Sequence, residues 1–469
     1  MLTFEQLARA ATGGGDGAAA NALAGPERWQ LTGLTTDSRA VSAGDVFVAL
    51  EGENFDGNDF IDAAIAGGAS VVVCGEGRTL DRRDVVFIET ADTLRALGDI
   101  AAAHRRTFDI AVVAITGSNG KTTTKELLRS ICAVAHGDQR VLANVGNLNN
   151  LIGLPLTVMQ LRPVHAVAIL EMGMNAPGEI ARLTEIARPT AGAITCVASA
   201  HLEGLGSLEG VAAAKGELFA GLGDDATAVV NLDDERVVGE ARRLGKTGTV
   251  RFGTGGEVRA ENVRAAALDC MSFDLVYGDA AFAVELPMAG RHNVANAVAA
   301  AACAYALGLP ADIVARGLAT VSPPPMRVAV EELANGARVV NDAYNANPDS
   351  LRAALATLDE AAAGRKLLAL GEMLELGERA AELHREAGRA AATLHPVLVC
   401  ALGAHAPEVC AGAREAGLGV DATVAADGHE QAARAIAEVW QPGDTILVKG
   451  SRGSRMECVV EELRRLAVP

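Results

Sequence analysis

Residues 110–124 read IAVVAITGSNGKTTT, and no other stretch restricts the fold as tightly. Ile110–Ile115 is a run of apolar or small residues bounded by polar sequence, the pattern of a buried strand in an α/β sheet. Glycines at 117 and 120 permit a tight turn, and Lys121, Thr122 and Thr123 open a stretch that continues as a helix. Consecutive N–H groups of Gly117, Ser118, Asn119 and Gly120 at such a helix start form a concave nest for phosphate. Lys121 would reach the outer phosphates, and the Thr122 hydroxyl can ligate magnesium. The longer Walker pattern wants glycine five places before Gly120, where this chain has Ile115, so the match is to the shorter TGxxGKTT form. A chance Gly-Lys-Thr in a surface turn is the competing reading, and the flanking strand and helix argue against it.

The chain has 469 residues, too many for one ordinary core, so about three domains are expected. A formal charge of −18 argues against a nucleic-acid partner. It also requires that any polyphosphate be gripped by local glycine loops and a few cations, not by the overall field. Eight cysteines lie scattered without Cys-x-x-Cys pairing, several inside apolar runs, which points to buried free thiols. The N-terminal MLTFEQLARAATGG lacks the charge and apolar run of a signal or membrane helix, so a soluble cytoplasmic enzyme with no transmembrane segment is expected.

Residues 1–107 read as a first small α/β domain. Thr3 with Gln6 caps a short helix. The Ser38-Arg39 pair is either a phosphate-binding loop or a capped turn, and spacing alone does not choose. His104 and Arg105 close a helix that begins at Thr93. Residues 108–321 read as the nucleotide domain. Asn144, Asn147, Asn149 and Asn150 stand within seven residues and cannot be packed dry, so they line a solvent-exposed loop or a hydrogen-bonding cleft. A strand over Ala166–Leu170 runs into Glu171, a carboxylate at the ligand-binding end of the sheet, where it could hold magnesium, orient a water or form an edge salt bridge. The next strand, expected over Ala191–Ala198, leads to His201. Lys215, on the helix Leu208–Ala220, is read from its own surroundings as a snorkelling surface residue, with a buried neutral amine as the alternative. Asn293 opens a long alanine-rich helix and could meet a nucleotide base together with Asn296, or simply cap that helix.

After Pro323-Pro324-Pro325, residues 322–469 repeat the α/β rhythm as a second doubly wound, Rossmann-like sheet. Three of its strands run into polar or glycine loops: one with Asp342, Tyr344 and Asn345, one with Glu372, and one with Ser451 and Arg452. Arg327 follows the proline link, where a cation of the third domain can reach a γ-phosphate across the cleft.

Eight segments resemble the Mur ligases: TGSNGKTTTKE (116–126), NVGNLNNLIGLPLT (144–157), LEMGMNAPGEI (170–180), HLEGLGSLEGVAAAKGELF (201–219), GRHNVANAVAA (290–300), NDAYNANPDS (341–350), GEMLELG (371–377) and VKGSRGSRMEC (448–458). The resemblance implies three domains: a small UDP-binding α/β domain, a central ATP-binding P-loop domain and a C-terminal Rossmann-like domain for the incoming dipeptide. It implies ATP-dependent amide formation, in which the terminal carboxylate of a UDP-N-acetylmuramoyl-tripeptide becomes an acyl phosphate that the amine of D-alanyl-D-alanine attacks. The DAYNANP segment with VKGSRGSRME sets this pattern apart from family members that add earlier residues. The family's usual aspartate in the third-domain loop is Glu372 here.

Roles carried over from that resemblance place Lys121 on the β- and γ-phosphates, and Thr122 with Glu171 on one magnesium. His201 would hold a second magnesium with Lys215, a lysine typically carbamylated in Mur ligases, which reverses the surface reading of Lys215. Asn293 would face adenine, Asp342 the ribose and Arg327 the transferring phosphoryl group. Ser38 and Arg39 would serve the uridine diphosphate, and Asn147, Asn149 and Asn150 the nucleotide-sugar cleft. Tyr344, Asn345, Ser451 and Arg452 would lie near the substrates, and a monomer is expected. The competing readings are another ligase of the same superfamily, including one adding glutamate to a folate-like acceptor, and a P-loop ATPase that does conformational work.

Overall fold

A computed structural model describes residues 2–13, 31–52, 55–82, 84–198, 205–246, 248–323 and 326–468. Its strands form three sheets. The first is parallel, in the order β1 (Leu34–Thr35), β2 (Val46–Val48), β3 (Val71–Gly75), β4 (Val86–Thr90). The central sheet contains β5 (Ala111–Thr116), β6 (Val141–Ala143), β7 (Val167–Glu171), β8 (Ala191–Ile194), β9 (Thr227–Asn231), β10 (Thr249–Phe252), β11 (Val258–Ala267), β12 (Cys270–Tyr277) and β13 (Ala280–Leu286). Its order is β13-β12-β11-β10-β9-β8-β5-β7-β6, with β11 to β13 antiparallel to one another and the remainder parallel. From β5 the chain goes first to one side of the sheet and then to the other. The carboxyl end of β5 is therefore the switch point at which such sheets bind ligands.

The third sheet orders β14 (Ala329–Glu332), β15 (Arg338–Asp342), β19 (Thr445–Lys449), β16 (Lys366–Leu370), β17 (Leu398–Leu402) and β18 (Thr423–Ala426), with only β14 antiparallel. The helix Leu208–Ala220 has the expected bounds, and Thr3 and Gln6 form the expected capping box. The proline link can be followed only to Pro323, because Pro324 and Pro325 lie outside the described residues.

The period of two along β5 explains how the layers join. Val112 and Ala114 enter a core that includes Leu7, Val48, Val73, Ile88, Leu97 and Ile100, all from the first 107 residues. Val113 and Ile115 face the opposite side, where they pack with Leu127, Leu128 and the alanine face 299–302. One apolar core thus runs through the first sheet, the helix Thr93–Arg105 and the central sheet. Arg105 braces this junction from within, donating to the carbonyls of Ala187 at 2.9 Å and Phe108 at 2.7 Å. The two faces of the third sheet build separate cores.

One strand expectation needs correction. The strand that starts at Ala191 ends at Ile194, not at Ala198, because the following residues leave the sheet to hold the phosphate loop. Ser118 N donates to Cys196 O at 2.8 Å, Ala198 N donates to Ser118 Oγ at 2.9 Å, and Val197 N donates to Asp234 Oδ2 at 2.7 Å. All eight cysteines are free, as expected, and burial pushes the Cys132 thiol up to about 12.

Candidate active site

β5 delivers the phosphate loop to the start of the helix Lys121–His136. Gly120 stands there at φ 82° and Gly117 at φ 149°, where a Cβ would run into the Asn296 amide and the Thr195 hydroxyl respectively. The loop is closed and preformed: Thr195 Oγ1 donates to Asn119 O at 2.6 Å, and Lys121 Nζ donates to Gly117 O at 2.7 Å and Ser118 O at 3.4 Å. Burial pushes the Lys121 ammonium below its ordinary pKa, the Glu171 carboxylate pulls it back up, and the Arg327 guanidinium adds to the downward push.

The loop opens into a cavity of about 900 Å³ between the central and third domains, lined by Ser118 to Thr123, Asn147, Asn149, Asn150, Glu171 and Asn293 on one side. Arg327, Asp342, Tyr344 and Asn345 line it from the other. The third domain is docked directly on the loop. Arg327 donates to Thr122 Oγ1 at 3.0 Å while its guanidinium stacks over the Tyr344 ring at 4.1 Å. Asn347 Nδ2 donates to Asn119 Oδ1 at 2.8 Å, and Arg291 pairs with Glu360 at 2.8 Å.

Glu171 ends β7 and is buried at 2 % exposure. Its Oε1 accepts from Asn149 Nδ2 at 2.7 Å, whereas its Oε2 is buried with no hydrogen-bond partner. Leaving a buried carboxylate oxygen unpaired costs about 1–3 kcal/mol or more, so this atom suits a cation brought in with a nucleotide. That choice favours the magnesium reading of Glu171 over an edge salt bridge.

Lys215 is 1 % exposed, which corrects the snorkelling reading made from its own surroundings. The small residues around it, which suggested room for a surface lysine, bury it against the sheet instead. Burial pushes its pKa well below the ordinary lysine value, and repulsion from Lys121 acts in the same direction. His201 lies outside the described residues; among those described, no three His, Cys, Asp or Glu side chains form a metal-binding cluster.

Asn293 does not cap its helix, which starts at Arg291 with Gly290 as the cap. Asn293 sits one turn in, donates to Ala289 O at 2.8 Å and accepts from Asn296 at 3.1 Å, so the two amides form one unit on the cavity wall. Asn150 faces the cavity, and its Oδ1 also accepts from Gly153 N, the first residue of the helix Gly153–Val158, at 2.8 Å. Asp342 is ion-paired with Lys449 at 2.6 Å, and Lys449 also donates to Asn345 O at 2.9 Å.

The remaining expected residues are not brought to this cavity. Asp37 caps the short 3-10 turn Ser38–Ala40 and grips the exposed Arg39 at 2.7 Å, which is the capped-turn arrangement. Ser451 is buried, donating to Ala346 O at 3.1 Å and accepting from Leu374 N at 2.9 Å, so it ties two loops of the third domain together. Arg452 pairs with Glu457 at 2.9 Å on the surface. Sequence reading missed Asn347 and Lys449. The signal for Lys449 was available, since Asp342 and Lys449 each end an apolar run and prove to be register partners on β15 and β19.

Family models place the whole layout. The Mur ligase middle domain matches residues 115–304, the Mur ligase glutamate ligase domain 326–452, and the Mur ligase family catalytic domain 30–105. The UDP-N-acetylmuramoyl-tripeptide–D-alanyl-D-alanine ligase of Escherichia coli (strain K12) is 37% identical over 92% of this chain and 94% of its own. The chain belongs to the Mur ligase family. A crystal structure of MurF from Acinetobacter baumannii superposes on this Mur ligase with a TM-score of 0.90 at 32% identity, covering 99% of this chain and 98% of that one. MurF from Thermotoga maritima in complex with ADP gives 0.83 at 30% identity, covering 93% and 97%. No described helix of this Mur ligase is long and apolar enough to cross a membrane.

Proposed function

We propose that this Mur ligase adds D-alanyl-D-alanine to a UDP-N-acetylmuramoyl-tripeptide, converting ATP to ADP and phosphate. The observation that carries the proposal is the hydrogen bond from Arg327 to Thr122 Oγ1, which sets a cation of the third domain against the phosphate loop of the second. A cation so placed suits transfer of a γ-phosphoryl group, where charge spreads over equatorial oxygens. The tripeptide carboxylate attacks the γ-phosphorus and the bond to ADP breaks, leaving an acyl phosphate. The amine of the dipeptide then attacks the carbonyl carbon and gives up a proton, and the carbon–oxygen bond to phosphate breaks.

In this reading Lys121 holds the β- and γ-phosphates, the Asn293–Asn296 pair faces adenine, and Asp342 meets the ribose. Ser38 and Arg39 belong to the domain assigned to uridine diphosphate. Ser451 supports the dipeptide loop, with Arg452 at its rim. Thr122 and Glu171 would hold magnesium, and Lys215 as a carbamate with His201 a second ion; such ions neutralise phosphate charge. The depressed pKa of Lys215 supports carbamylation, because only the neutral amine reacts with carbon dioxide.

The test is phosphate release from ATP with each UDP-muramoyl-peptide, with and without D-alanyl-D-alanine. Release that needs both substrates is expected. Steady ATP turnover with neither would indicate an ATPase, and release driven by a different amine would indicate another ligase. Arg327→Ala is expected to lower kcat by about 10²–10³-fold, with ADP affinity by titration calorimetry changed only a few-fold. Equal losses in both would move Arg327 from phosphoryl transfer to simple nucleotide binding.

A further inference from the structure

Glu171 is held in place by Lys125 and Asn144, to which no role has been given above, and by Asn149, expected at the nucleotide-sugar cleft. Lys125, fully buried on the helix that follows the phosphate loop, donates to Asn144 O at 2.6 Å and pairs with Glu126 at 2.9 Å. A buried lysine on a helix is costly unless it is fully engaged, and here it fixes the entry to the asparagine loop. Asn144 clamps the end of β7: its Oδ1 accepts from Glu171 N at 2.9 Å, and its Nδ2 donates to Glu171 O at 3.0 Å and to Leu148 O at 2.9 Å. Asn149 completes the set. Its side-chain amide donates to Glu171 Oε1 at 2.7 Å, its backbone carbonyl accepts from Gly173 N at 2.8 Å, and any side chain at 173 would displace that side-chain amide.

The outcome is asymmetric: one carboxylate oxygen is engaged and the other, Oε2, is buried without a partner. We propose that Lys125, Asn144 and Asn149 are positioning residues that fix the Glu171 carboxylate so that Oε2 is offered to a divalent cation, and that Asn149 serves this cation and not the sugar nucleotide. The inference rests on the nucleotide-binding reading above and gives the asparagine loop a second task, joining the strand-end carboxylate to the helix that carries Lys121.

The test uses the full chain with ADP and Mn²⁺ as the probe, reading Mn²⁺ affinity by electron paramagnetic resonance. Asn149→Ala is expected to weaken Mn²⁺ binding to the ADP complex about 10–100-fold, the usual effect of removing a group that orients a metal ligand. ADP binding in EDTA and the KM for the UDP-muramoyl-tripeptide should change less than about twofold on the same argument. Asn147→Ala, which lines the same cavity with no bond to Glu171, should leave the Mn²⁺ affinity unchanged. Lys125→Met should act in the same direction as Asn149→Ala if circular dichroism shows it folded; if it does not fold, Asn149→Ala decides alone. Unchanged Mn²⁺ affinity in Asn149→Ala overturns the proposal, and a raised KM beside it would assign that side chain to the sugar nucleotide. Failure of the wild-type chain to bind ADP at all would instead refute the nucleotide reading, before any variant is made.

Discussion

Lys121→Ala is expected to lower kcat/KM for ATP-dependent product formation by about 10³-fold or more, with circular dichroism and thermal midpoint close to wild type. The expectation follows from what the side chain touches. Among the described residues its ammonium bonds to carbonyls of its own loop, at Gly117 and Ser118. The turn itself is secured by other groups, among them Thr195 on Asn119 and the Ser118 contacts with residues 196 and 198. Removing the amine therefore takes away the proposed phosphate ligand and two loop contacts, while these other bonds still hold the turn. Near-normal turnover in this variant would sink the phosphate-loop assignment.

Lys215→Ala should be comparably damaging, by about 10²–10³-fold, and partly rescued by short carboxylic acids added in solution. A lysine at 1 % exposure beside another cation does not keep its ordinary charge; deprotonated, it can take up carbon dioxide, releasing a proton and leaving a carbamate. A small carboxylate entering the space left by the variant would restore the negative oxygens. Full activity in Lys215→Ala, or mass spectrometry of the intact wild-type chain under carbon dioxide showing only the free amine, would remove this role.

What could be read from the sequence follows from how local the signals are. The phosphate loop was legible because its glycines, lysine and threonine are contiguous and their geometry is dictated by a single turn. Glu171 was legible because an acidic residue that ends an apolar run stands at the sheet edge where ligands bind. Lys215 was misjudged from its neighbours alone because burial depends on what packs over the helix, which a run of alanines does not disclose. Asn293 reads as a possible cap because the start of its helix is two residues earlier than the alanine-rich pattern suggests. The overextended strand after Ala191 shows the same limit: residues 195–198 are apolar or small, yet their backbone groups are spent on Ser118 and Asp234, partners remote in sequence. The burial of Lys125 could not be read from the sequence, because it depends on Asn144, nineteen residues further on, whose carbonyl accepts from it.

The core that passes unbroken from the first sheet into the central one has a mechanical meaning. Anything bound by the N-terminal unit would ride on the same packed piece as the glycine loop after β5, so the spacing of those two places is set by the core. The third unit meets that piece across the cavity, through Arg327 on Thr122 and Asn347 on Asn119. A shift of the third unit at those two contacts would therefore change the width of the cavity and leave the other spacing as it is.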